Sequence, residues 1–287
     1  IHVLQMYTPV TFDSELEYNT KLRELIGSLS RLSSEAAAEG IPVLPEVLNY
    51  SMLPQYPDYS DEYTKLPVGI ERETLHLKFL DMAAEPAFIV GGSGTGRTNT
   101  IKTLLARIEN VQCNIFILDA KNENLREYSQ WKNVKYASGE ELCRSTLTEI
   151  QKIVQERKEL YEEERLDNLS LQPKAYGQSL EPIYIIVDVI QELSEILNGE
   201  NERLDILADA IQYGCFVCVS SDIKISRMTK SRFLQMLMES RQGLILGNIK
   251  NQQIFQYNGI REDNHQLDFG YFYKAGVIER LKLVMNQ

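Results

Sequence analysis

Residues Gly91-Gly92-Ser93-Gly94-Thr95-Gly96-Arg97-Thr98 follow the spacing of a phosphate-binding loop, with arginine where lysine is usual. The pattern G-x-x-x-x-G-K-[ST] holds nucleotide phosphates by three devices. Glycines let backbone N–H groups turn toward the oxygens, the lysine reaches the outer phosphates, and the last hydroxyl holds Mg²⁺. Gly91, Gly92, Ser93, Gly94, Thr95, Gly96, Arg97, Thr98 and the adjoining Asn99 are therefore the candidate nucleotide-binding residues. A second piece lies downstream, where the apolar run Ile183-Tyr184-Ile185-Ile186-Val187 ends in Asp188. An acid at the C-terminal end of such a strand falls in the crevice where open α/β sheets bind ligands, and it completes a Mg²⁺ site through water. Thr98 and Asp188 are the candidate metal residues.

What would split the nucleotide is missing. Many hydrolases of this class place a glutamate directly after that aspartate. Here Val189 follows, and Gln191-Glu192 come too late to occupy the same spot. Losing a positioned general base costs a factor of about 10²–10⁴. Arg97 adds a second defect, because its guanidinium is a planar fork where lysine is a compact point charge. The residues support nucleotide binding without fast turnover, and no catalytic residue is assigned.

The surrounding elements are those that such a site requires. Ala87-Phe88-Ile89-Val90 reads as a short buried strand before the loop. After it, Ile101, Leu104, Leu105 and Ile108 recur at helical spacing. Strand, glycine loop and helix together aim a helix N-terminus at an anion. Further strands are expected at Asn114–Leu118, Ile183–Val187, Phe216–Val219 and Gly243–Leu246. Helices are expected at Asn99–Ile108, Glu140–Arg165, Glu202–Gln212 and Lys230–Ser240. This alternation predicts an α/β fold of the P-loop NTPase (RecA/FtsK-like) kind, a mainly parallel sheet with helices on both faces. Residues 14–39 are expected to form a leading helix, with Leu16, Leu22, Leu25, Ile26, Leu29 and Leu32 on one face and a stop at Gly40-Ile41-Pro42. Between 41 and 67, Pro42, Pro45, Pro54, Pro57 and Pro67 exclude a long helix. Tyr50, Tyr56, Tyr59 and Tyr63 read as anchors of an extended, wrapping segment. The charged stretch Glu156–Asp167 reads as a solvated helix end.

At 287 residues and 43% apolar content the chain can bury a sizeable core. It has no apolar run long enough for a bilayer span. The start, Ile1-His2-Val3-Leu4-Gln5, lacks a signal-peptide pattern and an initiator Met, so a fragment of a longer protein is expected. A net charge of −11 argues against nucleic acid as a partner, because tracking DNA needs a basic channel. Cys113, Cys143, Cys215 and Cys218 are scattered, predicting reduced thiols in a cytosolic setting. Cys215 and Cys218 stand three apart on an apparent strand, which points them to opposite faces and rules out a shared metal.

The chain resembles the FtsK/SpoIIIE-type ATPase domains, and more specifically the C-terminal ATPase domain of EssC/EccC proteins of type VII secretion. The resemblance spans roughly residues 35–287. It is carried by Ile41-Pro42-Val43-Leu44-Pro45 leading to Leu66-Pro67-Val68-Gly69-Ile70, by the loop Gly91–Thr98, by Ile115-Phe116-Ile117-Leu118-Asp119-Ala120-Lys121, and by the strand ending at Asp188. Active members carry Lys at 97 and an acid at 189. They place a γ-phosphate-sensing Thr-Gln pair near 220–221 and an inter-subunit arginine near 208–214. This chain has Arg97, Val189, Ser220-Ser221, and no arginine from Ala208 to Gly214.

The resemblance implies a linker over residues 1–40 and a degenerate ATPase domain over 41–287, taking ATP and Mg²⁺ weakly if at all. It further implies a role in recognising the C-terminal export signal of small helical-hairpin substrates, or in regulating secretion. Preceding ATPase domains of the same polypeptide would be partners. The location implied is the cytoplasmic side of the cell membrane, with an anchor elsewhere in the parent protein. Two other readings remain open: an active ATPase powering export, and an FtsK-type DNA translocase, which the charge disfavours.

Overall fold

All five apolar runs expected as strands pair side by side. The computed structural model describes residues 14–32, 43–226, 230–258 and 266–286. In chain order the elements are α1 (Glu15–Leu32), β1 (Leu48–Asn49), β2 (Lys65–Glu71), β3 (Leu77–Asp81), β4 (Ala87–Gly91), α2 (Arg97–Ile108), β5 (Asn114–Asp119) and β6 (Val134–Ala137). They continue with α3 (Gly139–Asp167), α4 (Pro173–Ser179), β7 (Ile183–Asp188), α5 (Ile190–Ile196), α6 (Asn201–Gln212), β8 (Phe216–Ser221), α7 (Arg232–Met238), β9 (Gln242–Leu246), β10 (Phe269–Lys274) and β11 (Val277–Met285). The chain divides into two compact units, 1–42 and 43–287. In the first, α1 occupies most of the expected helix and leaves Leu25 and Ile26 exposed. The expected remainder, 33–39, and its stop at 40–42 lie outside the described residues.

In the second unit the sheet order is β3-β2-β11-β10-β9-β4-β8-β7-β5-β6, with β1 beside β11. From β9 to β6 every pairing is parallel. The pleat sorts the apolar side chains of this block onto two faces. Phe88 and Val90 join Phe116, Ile185, Val187 and Val219 against α3, α5, α6 and α7. Ala87 and Ile89 join Ile115, Ile117, Ile186 and Cys218 against Ile101, Leu104, Leu105 and Ile108 of α2. Burial on both faces explains the unbroken Val/Ile runs. Cys215 and Cys218 fall in these two different layers, and all four cysteines are free and buried.

The sheet is wider than the sequence signalled. β2, β3, β10 and β11 extend it by antiparallel pairing. Pro67 and Gly69 hid β2, since both weaken a strand pattern; the register shifts between them, as at a bulge. The proline-rich segment holds β1 and a short 3-10 helix (Tyr50–Gln55). Leu48 and Leu53 pack there on Ile70, Leu77 and Val284, with Tyr50, Tyr56 and Tyr59 around them. Arg107 of α2 ties the segment down, donating from Nη1 to the Tyr59 hydroxyl at 3.0 Å and from Nη2 to the Glu62 carbonyl at 2.8 Å.

One expectation is corrected. The end of α3 is not uniformly solvated, because Arg157 and Tyr161 are buried within it. Arg157 Nη1 donates to the carbonyls of Gly177 and Tyr213, each at 3.1 Å, and Nη2 to that of Glu181 at 2.6 Å. A charge count cannot tell a solvated arginine from one spent on backbone carbonyls.

Candidate nucleotide site

Parallel strands bring their C-terminal ends to one edge, and the candidate residues meet there. β4 ends at Gly91, and the loop that follows is shaped by Gly94 (φ 74°) and Gly96 (φ 102°). Both lie in the left-handed region that costs glycine little. Thr95 Oγ1 donates to the Gly92 carbonyl at 2.8 Å and closes the turn. A Cβ on Gly91 would lie 2.4 Å from that same hydroxyl oxygen. α2 then starts at Arg97 with Gly96 as its N-cap, and no side chain caps its first amides. These amides and the helix dipole favour an anion.

The cleft in front of the loop has a volume of about 460 Å³. Ser93, Gly94, Gly96, Arg97 and Thr98 line one side, and Asn122, Asn124, Asp188 and Val189 the other. The structure thus brings Thr98 and Asp188 to one cavity. Gly91, Gly92 and Thr95 shape the loop from behind, outside the lining. Asn99 faces elsewhere: its Nδ2 donates to the Val284 carbonyl at 2.9 Å, and its Oδ1 accepts the Asn286 amide at 3.1 Å.

Asp188 is buried, and both its oxygens are engaged. Ser220 Oγ donates to Oδ1 at 2.8 Å, and Asn124 Nδ2 to Oδ2 at 3.2 Å. Across the β5–β7 ladder Asp188 sits opposite Asp119. Asp119 is also buried; its Oδ2 accepts from the Leu125 amide at 2.9 Å and the Tyr136 hydroxyl at 3.2 Å, while Oδ1 has no partner. Burial pushes the Asp119 carboxyl above its usual range, against the Leu125 amide and with the help of the nearby Asp188 charge. Glu192, in the first turn of α5, is likewise raised by burial. Its Oε1 is held by Asn122 and its Oε2 is buried without a partner. The β5–β6 loop therefore reaches across the cleft mouth, with Lys121 paired to Glu195, Asn122 to Glu192, and Asn124 to Asp188. Sequence reading missed these asparagines. Their one signal was position, directly after a strand ending in Asp119.

The cradle fits a Mg²⁺-bound polyphosphate. The loop amides and Thr98 would hold the phosphates, and Thr98 with Asp188 would hold the ion, which supplies charge neutralisation when bound. Mg²⁺ keeps several waters and needs few protein ligands.

No family model and no curated protein matches the chain. Solved structures do match it. The chain is similar to the cytoplasmic domain of EssC, at 20% identity and a TM-score of 0.74, over 99% of this chain and 56% of that one. It is similar to ATPases 2 and 3 of EssC from Geobacillus thermodenitrificans, at 19% identity and 0.74, over 98% and 53%. It is also similar to Thermomonospora curvata EccC ATPases 2 and 3 in complex with a signal sequence peptide, at 18% identity and 0.63, over 96% and 49%. Its fold is that of these EssC and EccC structures. The chain spans about half the length of these three structures.

Within that EssC/EccC-type fold, the four departures read from sequence have definite surroundings. Arg97 pairs with Asp222, its Nη1 2.9 Å from Oδ1. Val189 caps α5 at φ 59°, ψ 86°, a left-handed conformation that costs a β-branched residue about 1–3 kcal/mol. Ser220 holds Asp188, while Ser221 Oγ accepts from Gln191 Nε2 at 2.8 Å. The end of α6 and the turn after it supply carbonyls to Arg157 and to the chain's own turn, with Gly214 at φ 81°.

Proposed function

We propose that residues 41–287 form a degenerate ATPase domain of a type VII secretion motor, preceded by a helical linker over 1–40. It binds Mg-ATP weakly, does not turn it over at a useful rate, and serves in export-signal recognition or in regulating secretion. One observation supports this most: the cleft keeps its glycine cradle, yet its outer-phosphate cation is neutralised by Asp222 and Val189 stands where a base would be. Thr98 and Asp188 are the metal residues of this reading; Ser93, Gly94, Gly96, Arg97 and Thr98 are the phosphate residues that line the cleft, with Gly91, Gly92 and Thr95 shaping the loop behind them. The EccC structure that carries a signal sequence peptide supports the cargo assignment, as do the tandem ATPases of that protein and of EssC for preceding domains as partners. By the same likeness the domain works on the cytoplasmic side of an anchored parent. No helix among the described residues is long and apolar enough to cross a membrane. The acidic net charge of −11 disfavours nucleic acid.

Calorimetric titration with Mg-ATP, a phosphate-release assay, and titration with a substrate's C-terminal peptide test the three parts. Weak nucleotide uptake, background phosphate release and measurable peptide binding are expected. Brisk phosphate release would favour an active export ATPase, and a salt-dependent shift with duplex DNA a translocase.

A further inference from the structure

Arg97 is the one cationic side chain of the loop Gly91–Thr98, and it already has a partner. Its Nη1 donates to Asp222 Oδ1 at 2.9 Å. The arginine side chain is 12% exposed and the aspartate 51%, so the cation is the enclosed member and the acid the one free to leave. Asp222 follows the last residue of β8, the strand beside β4 in the sheet. Its position is braced from below. The Asp222 amide donates to Gln191 Oε1 at 3.1 Å, and Gln191 Nε2 donates to the Lys224 carbonyl at 2.9 Å. The acid is thus carried on a segment hydrogen-bonded to α5.

A guanidinium binds carboxylate and phosphate oxygens with the same donors. Arg97 lines the cleft beside Thr98, where an outer phosphate would lie, so Asp222 and that phosphate want the same group. We propose that Asp222 is a built-in competitor for the phosphate chain: nucleotide enters by taking Arg97 from it, and residues 222–226 register the exchange. This rests on the cleft being a nucleotide site. With Arg97 neutralised, Asp188 is the remaining charged side chain of the lining, so a bare phosphate gains little. A Mg²⁺-bound triphosphate is favoured, because it adds the loop amides and Thr98 and brings its own cation.

The test is a titration of the 287-residue chain with Mg-ATP in four forms: unaltered, Asp222→Asn, Arg97→Met, and both together. Asp222→Asn should tighten binding about three- to tenfold, the range of a partly exposed charge-assisted contact. In the Arg97→Met background the same change should gain nothing, which separates competition from a general loss of negative charge. Hydrogen exchange at the Asp222 amide should accelerate when Mg-ATP is bound. Equal affinities with and without Asp222, or a gain that persists without Arg97, would overturn the competitor and leave the nucleotide reading standing. Unchanged exchange in the bound state would overturn the registering segment. Absence of Mg-ATP binding in all four forms would overturn both the competitor and the nucleotide site.

Discussion

Ser220 donates its hydroxyl to Asp188 Oδ1 at 2.8 Å while its oxygen accepts the Val189 amide at the same distance. One buried hydroxyl therefore fixes the Asp188 carboxylate and pins the left-handed residue that follows it. Ser220→Ala would strand an amide and a carboxylate oxygen in the interior. A buried polar group left unsatisfied costs about 1–3 kcal/mol, so a loss of 2–4 kcal/mol is expected in urea unfolding, about twice the single-group figure less relaxation. A loss under about 0.5 kcal/mol, the ordinary surface value, would show that this bridge carries little.

Asp119 gives a pH signature. Burial raises its carboxyl pKa in the folded protein, the neighbouring Asp188 charge adding to the effect. A folded pKa above the unfolded value of about 3.9 means that the group's contribution is complete below that pH. It is lost as pH rises through the raised folded value. Asp119→Asn removes the titration while keeping an oxygen for the Leu125 amide and Tyr136 hydroxyl. The variant's stability relative to the natural chain should therefore climb from pH 4 upward and level off above the folded pKa. Unfolding curves at several pH values measure this. A constant difference across the range would refute the assignment.

On the proposed function, Arg97 limits binding and Val189 limits turnover. Lysine at 97 is shorter and presents a point charge to the phosphates, so Arg97→Lys is expected to raise Mg-ATP affinity measurably by calorimetry. Phosphate release should stay at background, since Val189 still offers no base and a missing general base costs about 10²–10⁴. Robust turnover by this single variant would show that the arginine alone had blocked hydrolysis.

Much of this was legible in the chain, and the limits have physical causes. The parallel strands announced themselves because burial on both faces writes continuous apolar runs such as Ile183–Val187. Their order gave Gly91–Thr98 and Asp188 a common edge, and both indeed line one cleft through Thr98 and Asp188. β6, β10 and β11 were missed because half-exposed or short strands such as Val134–Ala137 lack that signature. The Arg97–Asp222 pair spans 125 positions, and nothing local in either residue marks it. Asn122 and Asn124 read as ordinary loop polar residues; only the turn after β5, with Glu123 at φ 51°, carries them over the cleft.

Arg157 supplies the sharpest stability test, because its partners are neutral. Its guanidinium bridges α3 to the carbonyls of Gly177, Glu181 and Tyr213, where two chain segments pass so closely that a Cβ on Gly177 would lie 2.0 Å from the Tyr213 oxygen. Arg157→Met keeps most of the aliphatic stem but removes all three donated bonds; the Gly177 carbonyl keeps the Leu180 amide at 3.3 Å, while the half-buried carbonyls of Tyr213 and Glu181 lose their side-chain donor. At about 1–3 kcal/mol for each unsatisfied group, with two carbonyls affected and both partly open to water, a loss of about 2–4 kcal/mol is expected. Arg157→Lys should recover part of it, since an ammonium has donors but not the fork that spans Gly177 and Glu181. Both are read from urea midpoints at unchanged slope. If methionine and lysine destabilise equally and by less than about 1 kcal/mol, the clamp is decorative, and the junction is held by the close backbone packing at Gly177 and Gly214 instead.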